Sequence, residues 1–333
     1  MTGAMRALVG GTGPDWEVRE IDIPTPGPGQ VLVRVRAAGL NRADLAMLQG
    51  TYNRGDRAGD VFTAGLELAG EVEAVGPEVA DVAVGDRVMA ASAGAFAPFA
   101  AVDHRYAIPV PRSLEWTDAA ALPMGLSTEH DALVTQGGFT AGDRVLITGA
   151  SSGVGMLGLQ LARELGAALV VATTTSDAKR GALAATGADV VIDTGTENVP
   201  EVVRSATGGA GVDVVVDHVG GPQFGDLLPA TRIRGTIINV GRLAGRRSTI
   251  DLDQLSLRRL RVQGTTFSIR TAEERAEVYA ALRPDVLPAV ADGRVRPIVD
   301  RVFPFDEAQE AADRMRSNRA VGKIVLEMPP VDG

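Results

Sequence analysis

Along the first hundred residues apolar positions recur with a period of two and are interrupted every few residues by turn formers. VLVRVRA (31–37) alternates apolar residues with arginine, the signature of a strand buried on one face. ELAGEVEAVG (67–76), GDRVMAAS (85–92) and FAAVDHRYAIPV (99–110) continue the pattern, while PTPGPGQ (24–30) reads as a turn-rich connection. Together they predict a mostly antiparallel β region up to about Pro111.

The pattern then switches. RVLITG (144–149), ALVVAT (168–173), DVVID (189–193), VDVVVD (212–217) and GTIINVG (235–241) are nearly continuous apolar runs, as strands covered on both faces require. Between the first two, VGMLGLQLAREL (154–165) places Val154, Leu157, Leu161 and Leu165 near one helical face. Repeated strand–helix–strand alternation predicts an α/β fold with a doubly wound parallel sheet. The tail is mixed: a helix around Glu273 to Leu282, strand-like RVFPF (301–305), helix-like DEAQEAADRMRS (306–317) and strand-like KIVLEM (323–328). The expected organisation is a central dinucleotide-binding domain, 123–263, inserted between 1–122 and 264–333, which pack together as a second domain. A cleft between two such domains is a preferred place for a small ligand.

Composition narrows the chemistry. Of the 333 residues 45% are hydrophobic and 23% charged, which excludes a largely disordered chain. The net charge of −9 argues against a general nucleic-acid binder. Cysteine is absent, so disulfides, iron–sulfur clusters, thiolate zinc sites and cysteine nucleophiles are excluded. The three histidines, His104, His130 and His218, make a histidine-rich metal site improbable. Without a signal-peptide pattern or an apolar run near the ~20 residues that span a bilayer, the expectation is a soluble cytoplasmic protein.

The informative stretch is ITGASSGVG (147–155), directly after one strand and before one helix. A glycine-rich turn there lets backbone approach a pyrophosphate, with the positive end of the helix dipole aimed at the charge. In the G-x-G-x-x-G register the positions are Ala150, Ser152 and Gly155, so only the last is glycine, with Gly149 and Gly153 beside them. Ala150, Ser151, Ser152, Gly153, Val154 and Gly155 are therefore cofactor candidates. The second strand ends ATTTSDAKR (172–180), where an NAD site commonly presents a carboxylate to the ribose hydroxyls. Here the aligned residue is Thr174, and Thr175, Ser176, Lys179 and Arg180 suit a 2′-phosphate instead. The expected cofactor is NADPH. A solvated lysine at a helix start is the alternative reading of Lys179.

The octet TGASSGVG (148–155) also resembles the phosphate turn of short-chain dehydrogenases, but no tyrosine here has a lysine four residues on. The landmarks AAGLNRADLAMLQGTY (37–52), GLELAGEVEAVG (65–76), VGDRV (84–88), AALPMGLSTEHDAL (120–133), ITGASSGVG, DVVVDHVGG (213–221) and VGKIVLEM (321–328) occur in the order of another family. From about Arg6 to Leu326 the chain resembles a medium-chain dehydrogenase/reductase of the zinc-free, quinone oxidoreductase (zeta-crystallin-like) branch. That resemblance implies a Rossmann domain and a GroES-like, mostly β catalytic domain. Zinc-dependent members place a Cys and a His where this chain has Asn41 and Leu66, so no metal is expected. Without a Lewis acid the fitting acceptor is one that delocalises incoming charge, a quinone or α,β-unsaturated carbonyl.

Residue by residue, the resemblance implies that Asn41 bonds the nicotinamide ribose or substrate, Tyr52 donates to a developing oxyanion, and Thr128 lies near the nicotinamide. It adds Val240, Gly241, Phe267 and Arg319 to the cofactor contacts. An Asx turn for Asn41, packing for Tyr52, helix placement for Thr128, a plain turn glycine for Gly241 and a solvated Arg319 remain the alternatives. His130 stands where an aromatic is common, His218 where a smaller residue is usual, and Thr194 where some NADPH-binding relatives have tyrosine. RGDRAGD (54–60) reads as a polar lip of the cleft rather than a closed lid. A homodimer is implied, through the edge RVQGTTFS (261–268), with no nucleic-acid or membrane partner. Two other functions stay open: a 2-enoyl thioester or natural-product enone reductase, and a non-catalytic NADPH-binding structural or regulatory protein.

Overall fold

The computed structural model describes residues 3–50, 52 and 60–330, and its residues cluster into two compact units. The first comprises Met1–Met124, Phe267–Ala281 and Arg296–Gly333; the second comprises Gly125–Thr266 and Leu282–Val295. The polar segment 54–59 lies outside the described residues.

In chain order the first unit opens with strands β1 (Ala4–Gly10), β2 (Glu17–Asp22) and β3 (Gln30–Leu40), then helix α1 (Arg42–Leu48). Strands β4 (Phe62–Thr63), β5 (Leu68–Val75), β6 (Arg87–Ala90), β7 (Phe99–Asp103) and β8 (Ile108–Pro109) follow, then α2 (Trp116–Ala120). The expected alternation is visible in β3, where Val31, Val33 and Val35 are buried and Arg34 and Arg36 half-buried. Arg34 donates to Glu73 on β5 at 2.7 Å, which keeps that face polar. The run 99–110 is two strands rather than one. Asp103 accepts the Arg105 amide and caps a 3-10 turn, His104–Tyr106, that breaks the extended chain.

The second unit begins within α3 (Pro123–His130), which passes into a π-helical turn, Asp131–Gln136. Its strands and helices are β9 (Arg144–Ile147), α4 (Gly153–Glu164), β10 (Leu169–Thr174), α5 (Arg180–Ala185), β11 (Val190–Asp193) and α6 (Val199–Ala206). Next come β12 (Val212–Asp217), α7 (Leu227–Ala230), β13 (Thr231–Asn239), α8 (Leu252–Arg258) and β14 (Arg261–Gly264). The described strands form one parallel sheet in the order β11-β10-β9-β12-β13-β14. Every residue of β12 is buried, which is why its sequence is apolar without alternation. Leu146, Val171, Ile192, Val215 and Ile237 from five adjacent strands meet Val203 and Leu228 of the flanking helices in a single core.

Helix α9 (Ala272–Ala291) starts in the first unit and ends in the second. It runs well past the 273–282 read from sequence, through Pro284 and Pro288. Each proline removes one backbone donor, but Leu282, Val286, Ala289 and Val290 are buried and repay its continuation. Thus 282–295 belongs to the cofactor-sheet unit, whereas sequence reading placed all of 264–333 elsewhere. The chain closes in the first unit with β15 (Val299–Pro304), α10 (Ala308–Arg316) and β16 (Lys323–Glu327). There β16 pairs antiparallel with β3, so the C-terminal segment completes the N-terminal sheet.

Candidate active site

In the parallel sheet the connections from β9 run one way to β10 and β11, then return to β12 on its other side. That reversal leaves a crevice outside the carboxyl ends of β9 and β12, where open α/β sheets bind ligands. The glycine turn lies there. Gly149 has φ +59°, a left-handed conformation suited to glycine, and its amide donates to Thr173 Oγ1 at 3.2 Å. Ser152 caps α4 by accepting the Gly155 amide at 3.0 Å, so the helix dipole starts at the turn. A Cβ on Gly155 would lie 2.7 Å from Ala150 Cα, so close turn–helix packing, rather than a full set of motif glycines, shapes the loop.

Neighbouring loops are tied to the same point. Thr148 Oγ1 donates to Asp217 Oδ1 at 2.7 Å and accepts the His218 amide at 3.0 Å. Asp217 also accepts from the amides of Val219 and Gly220 and from Asn239 Nδ2. Gly241 is required where it stands, because a Cβ would collide with the His218 backbone. Thr148, Thr173, Thr194 and Asp217 line a cavity of about 100 Å³ at the strand ends, together with Glu197, Asn198 and Gln223. The helix N-terminus, close-packed glycines and adjoining polar cavity fit a dinucleotide.

The strand-end residues are divided. Thr174 is buried and its Oγ1 accepts the Ser176 amide at 3.2 Å; Thr175 is exposed, while Ser176 and Lys179 are half-buried. Arg180 departs from the expectation of an available cation. Its guanidinium is shared between Asp177, Glu197 and the Val191 carbonyl. Thr128, Ala150, Ser151, Ser152, Gly153, Val154, Gly155, Val240 and Gly241 all fall in this unit, whereas Asn41, Tyr52, Phe267 and Arg319 belong to the first. Tyr52 is half-buried, Phe267 lies 4.7 Å beneath the Arg270 guanidinium, and Arg319 is exposed.

In the first unit, register brings three strand ends together. Ile324 of β16 pairs with Leu40 of β3, and Ala38 of β3 pairs with Leu68 of β5, so Asn41, Glu67 and Lys323 become neighbours. Lys323 Nζ donates to Asn41 Oδ1 at 2.8 Å and to Glu67; Asn41 Nδ2 donates to Glu67 Oε1 at 2.8 Å. The Met124 amide takes the other Glu67 oxygen at 2.8 Å. Both ends of the Asn41 amide are therefore engaged, at the N-cap position of α1. Asp44, on the first turn of α1, accepts the Asn41 amide at 2.8 Å. Burial pushes its carboxyl up to about 7, against the partial relief of hydrogen bonds from the Asn41 and Gly65 amides. Lys323 was not anticipated from sequence. The available signal was a lysine opening an otherwise apolar strand, KIVLE.

The histidines lie apart. His104 Nδ1 donates to Asp81 at 2.6 Å; His130 is buried and its Nε2 donates to Asp285 at 2.8 Å. His218 Nε2 lies 2.6 Å from Glu129.

Residues 27–112 match the alcohol dehydrogenase GroES-like domain family, and residues 186–326 match the zinc-binding dehydrogenase family. A mycobacterial quinone oxidoreductase structure superposes with TM-score 0.82 at 30% identity, covering 97% of this chain and 99% of its own. The chain belongs to the medium-chain dehydrogenase/reductases, in the zinc-free quinone oxidoreductase family. A second mycobacterial structure of this fold, solved with NADPH, is 29% identical with TM-score 0.85, covering 97% of this chain and 99% of its own. Among curated proteins, the spectinabilin polyketide synthase system protein NorB of Streptomyces orinoci is 35% identical over 303 residues, 91% of this chain. The chain spans only 13% of that protein's length, and 5% and 8% of two further polyketide synthases it matches. The matching families are dehydrogenase families, and the NADPH-bound neighbour shares the fold along nearly its whole length. At Asn41 the Lys323 ammonium lies 2.8 Å from the amide oxygen. Among the described residues no group of three or more His, Asp or Glu could hold a metal ion, and no helix is long and apolar enough to cross a membrane.

Proposed function

We propose that the protein is an NADPH-dependent, zinc-independent reductase of quinones or α,β-unsaturated carbonyls. The observation that carries this reading is the capped glycine turn at the start of α4, beside a polar cavity at the strand ends, in a chain of the zinc-free quinone oxidoreductase family. A hydride carried on a dinucleotide held there suits an acceptor that spreads its own incoming charge. The dinucleotide, when bound, supplies the hydride. The chain's own residues hold it: Ser152 to Gly155 at the pyrophosphate, Val240 and Gly241 toward the ribose, Thr175, Ser176 and Lys179 toward a 2′-phosphate. By the resemblance, Thr128 of the second unit is assigned to the nicotinamide, and of the first unit Phe267 and Arg319 to the cofactor and Tyr52 to the acceptor oxygen. Two similar mycobacterial proteins, one a quinone oxidoreductase and one solved with NADPH, support the same choice.

The likeness to polyketide synthases favours a second reading, reduction of a 2-enoyl thioester. Fluorescence titration with NADPH and NADH, beside a Lys179→Glu variant, comes first. Tighter binding of NADPH, reversed in the variant by about tenfold or more, supports the cofactor choice; preference for NADH overturns it. A panel of quinones, simple enones and 2-enoyl thioesters then separates the two substrate classes. Binding of NADPH with no turnover on any of them supports a non-catalytic, regulatory role.

A further inference from the structure

Glu129 is fully buried in α3, and the polar side chain that faces its carboxylate is His218. The imidazole of His218 stands 2.6 Å from Oε1 as an ion-pair contact. Space for the carboxylate comes from Gly158 on α4, where a Cβ would collide with it. A buried carboxylate is tolerated when a positive charge faces it, which here is the protonated ring of His218. His218 follows β12 directly, and its Cβ lies 3.7 Å from where a Cβ on Gly149 would sit, beside the phosphate turn. Its Nδ1 makes no hydrogen bond to the described residues.

We propose that Glu129 and His218 form a one-proton dyad that donates the proton consumed in the reduction. This rests on the reductase reading above. As the acceptor carbon bonds the hydride, its π pair moves to oxygen. The His218 Nδ1–H bond, on the side of the ring away from Glu129, then breaks and the proton passes to that oxygen, directly or through water, giving an enol, which for a quinone tautomerises to the hydroquinone. The N–H electron pair stays on the ring, which regains a proton from solvent against the Glu129 carboxylate. Burial disfavours the charged ring, but the Glu129 charge outweighs it and holds the imidazole above the ordinary histidine range. The other charged group facing the ring is Asp217, on its own strand; His130, next in α3, turns to Asp285.

With three histidines, imidazole proton resonances of the cofactor-free protein assign directly from single variants. The His218 resonance is expected to titrate above that of an exposed histidine and to fall in Glu129→Gln; an unmoved titration overturns the dyad. In steady state, His218→Asn is expected to slow enone reduction by about 100-fold. Its effect on quinones is smaller, because a phenolate needs its proton less than an enolate does, and its affinity for NADPH is unchanged. Equal losses on both acceptors, or enone rates within twofold of wild type, overturn the donor role. Should His218→Asn fail to fold, Glu129→Gln carries the same comparison. If the wild-type protein oxidises NADPH with no acceptor, the reductase reading and the donor role fall together, while the resonance titration still decides whether the pair shares a proton.

Discussion

Asp44 and Lys323 show what single buried charges cost this protein and what holds them. The Asp44 carboxyl, raised by burial to about 7, binds a proton in the folded state across a range where the unfolded chain has lost it. Stability therefore declines as pH rises from about 4 to about 7 and then levels, a contribution on the order of 4 kcal/mol. Asp44→Asn, which keeps an oxygen for the Asn41 amide, should flatten this slope relative to wild type and raise the melting temperature at pH 8. Thermal unfolding from pH 5 to 8 checks it. Lys323 is 3% exposed and Glu67 0%, so Lys323→Met strands a buried carboxylate and should lower stability by roughly 3–5 kcal/mol. The double variant Lys323→Met/Glu67→Gln should recover most of it in denaturant unfolding yet stay impaired in turnover, because the Asn41 amide is no longer anchored by the ammonium. Neither partnership was legible in the sequence. Asn41 and Glu67 are 26 residues apart and Lys323 and Glu67 256 apart, and no local periodicity encodes such a meeting.

At the scale of elements, the glycine turn was readable because its requirements are local. A strand, a tight turn and a capped helix must follow one another within a few residues, and ITGASSGVG supplies all three. What the motif did not reveal is which glycines matter. Gly155→Val is expected to abolish dinucleotide binding, at least tenfold by fluorescence titration, because the new side chain meets Ala150 backbone that cannot yield. The circular dichroism of the folded protein should persist, since the five-strand core lies below the turn. Long apolar strands were also legible, as with β12, whose predicted and observed bounds coincide at 212–217. Boundaries failed where a side chain intervened: Asp103 ended a strand by capping a turn, and buried apolar residues carried α9 through two prolines. The expected availability of Arg180 failed for the same reason, through Glu197 on a neighbouring loop.

For the whole molecule, we propose a homodimer built on the edge of the parallel sheet. Among the described residues β14 pairs only with β13, leaving a strand edge with Val262 43% exposed that a symmetry mate could continue. Light scattering should give twice the chain mass for wild type and the single chain mass for Val262→Glu; a wild-type monomer would sink this assembly. The sequence by itself determined the class of fold, the order of its two kinds of sheet and the place of the cofactor turn. Each depends on a repeating period or a short contiguous motif, which local sterics and burial enforce. Only the tertiary structure decided that Asn41 is held by Lys323 and Glu67, that Arg180 is engaged, and that Glu129 meets His218. Those outcomes depend on strand register and on close packing between distant segments, where burial makes every charge take the partner that geometry places beside it.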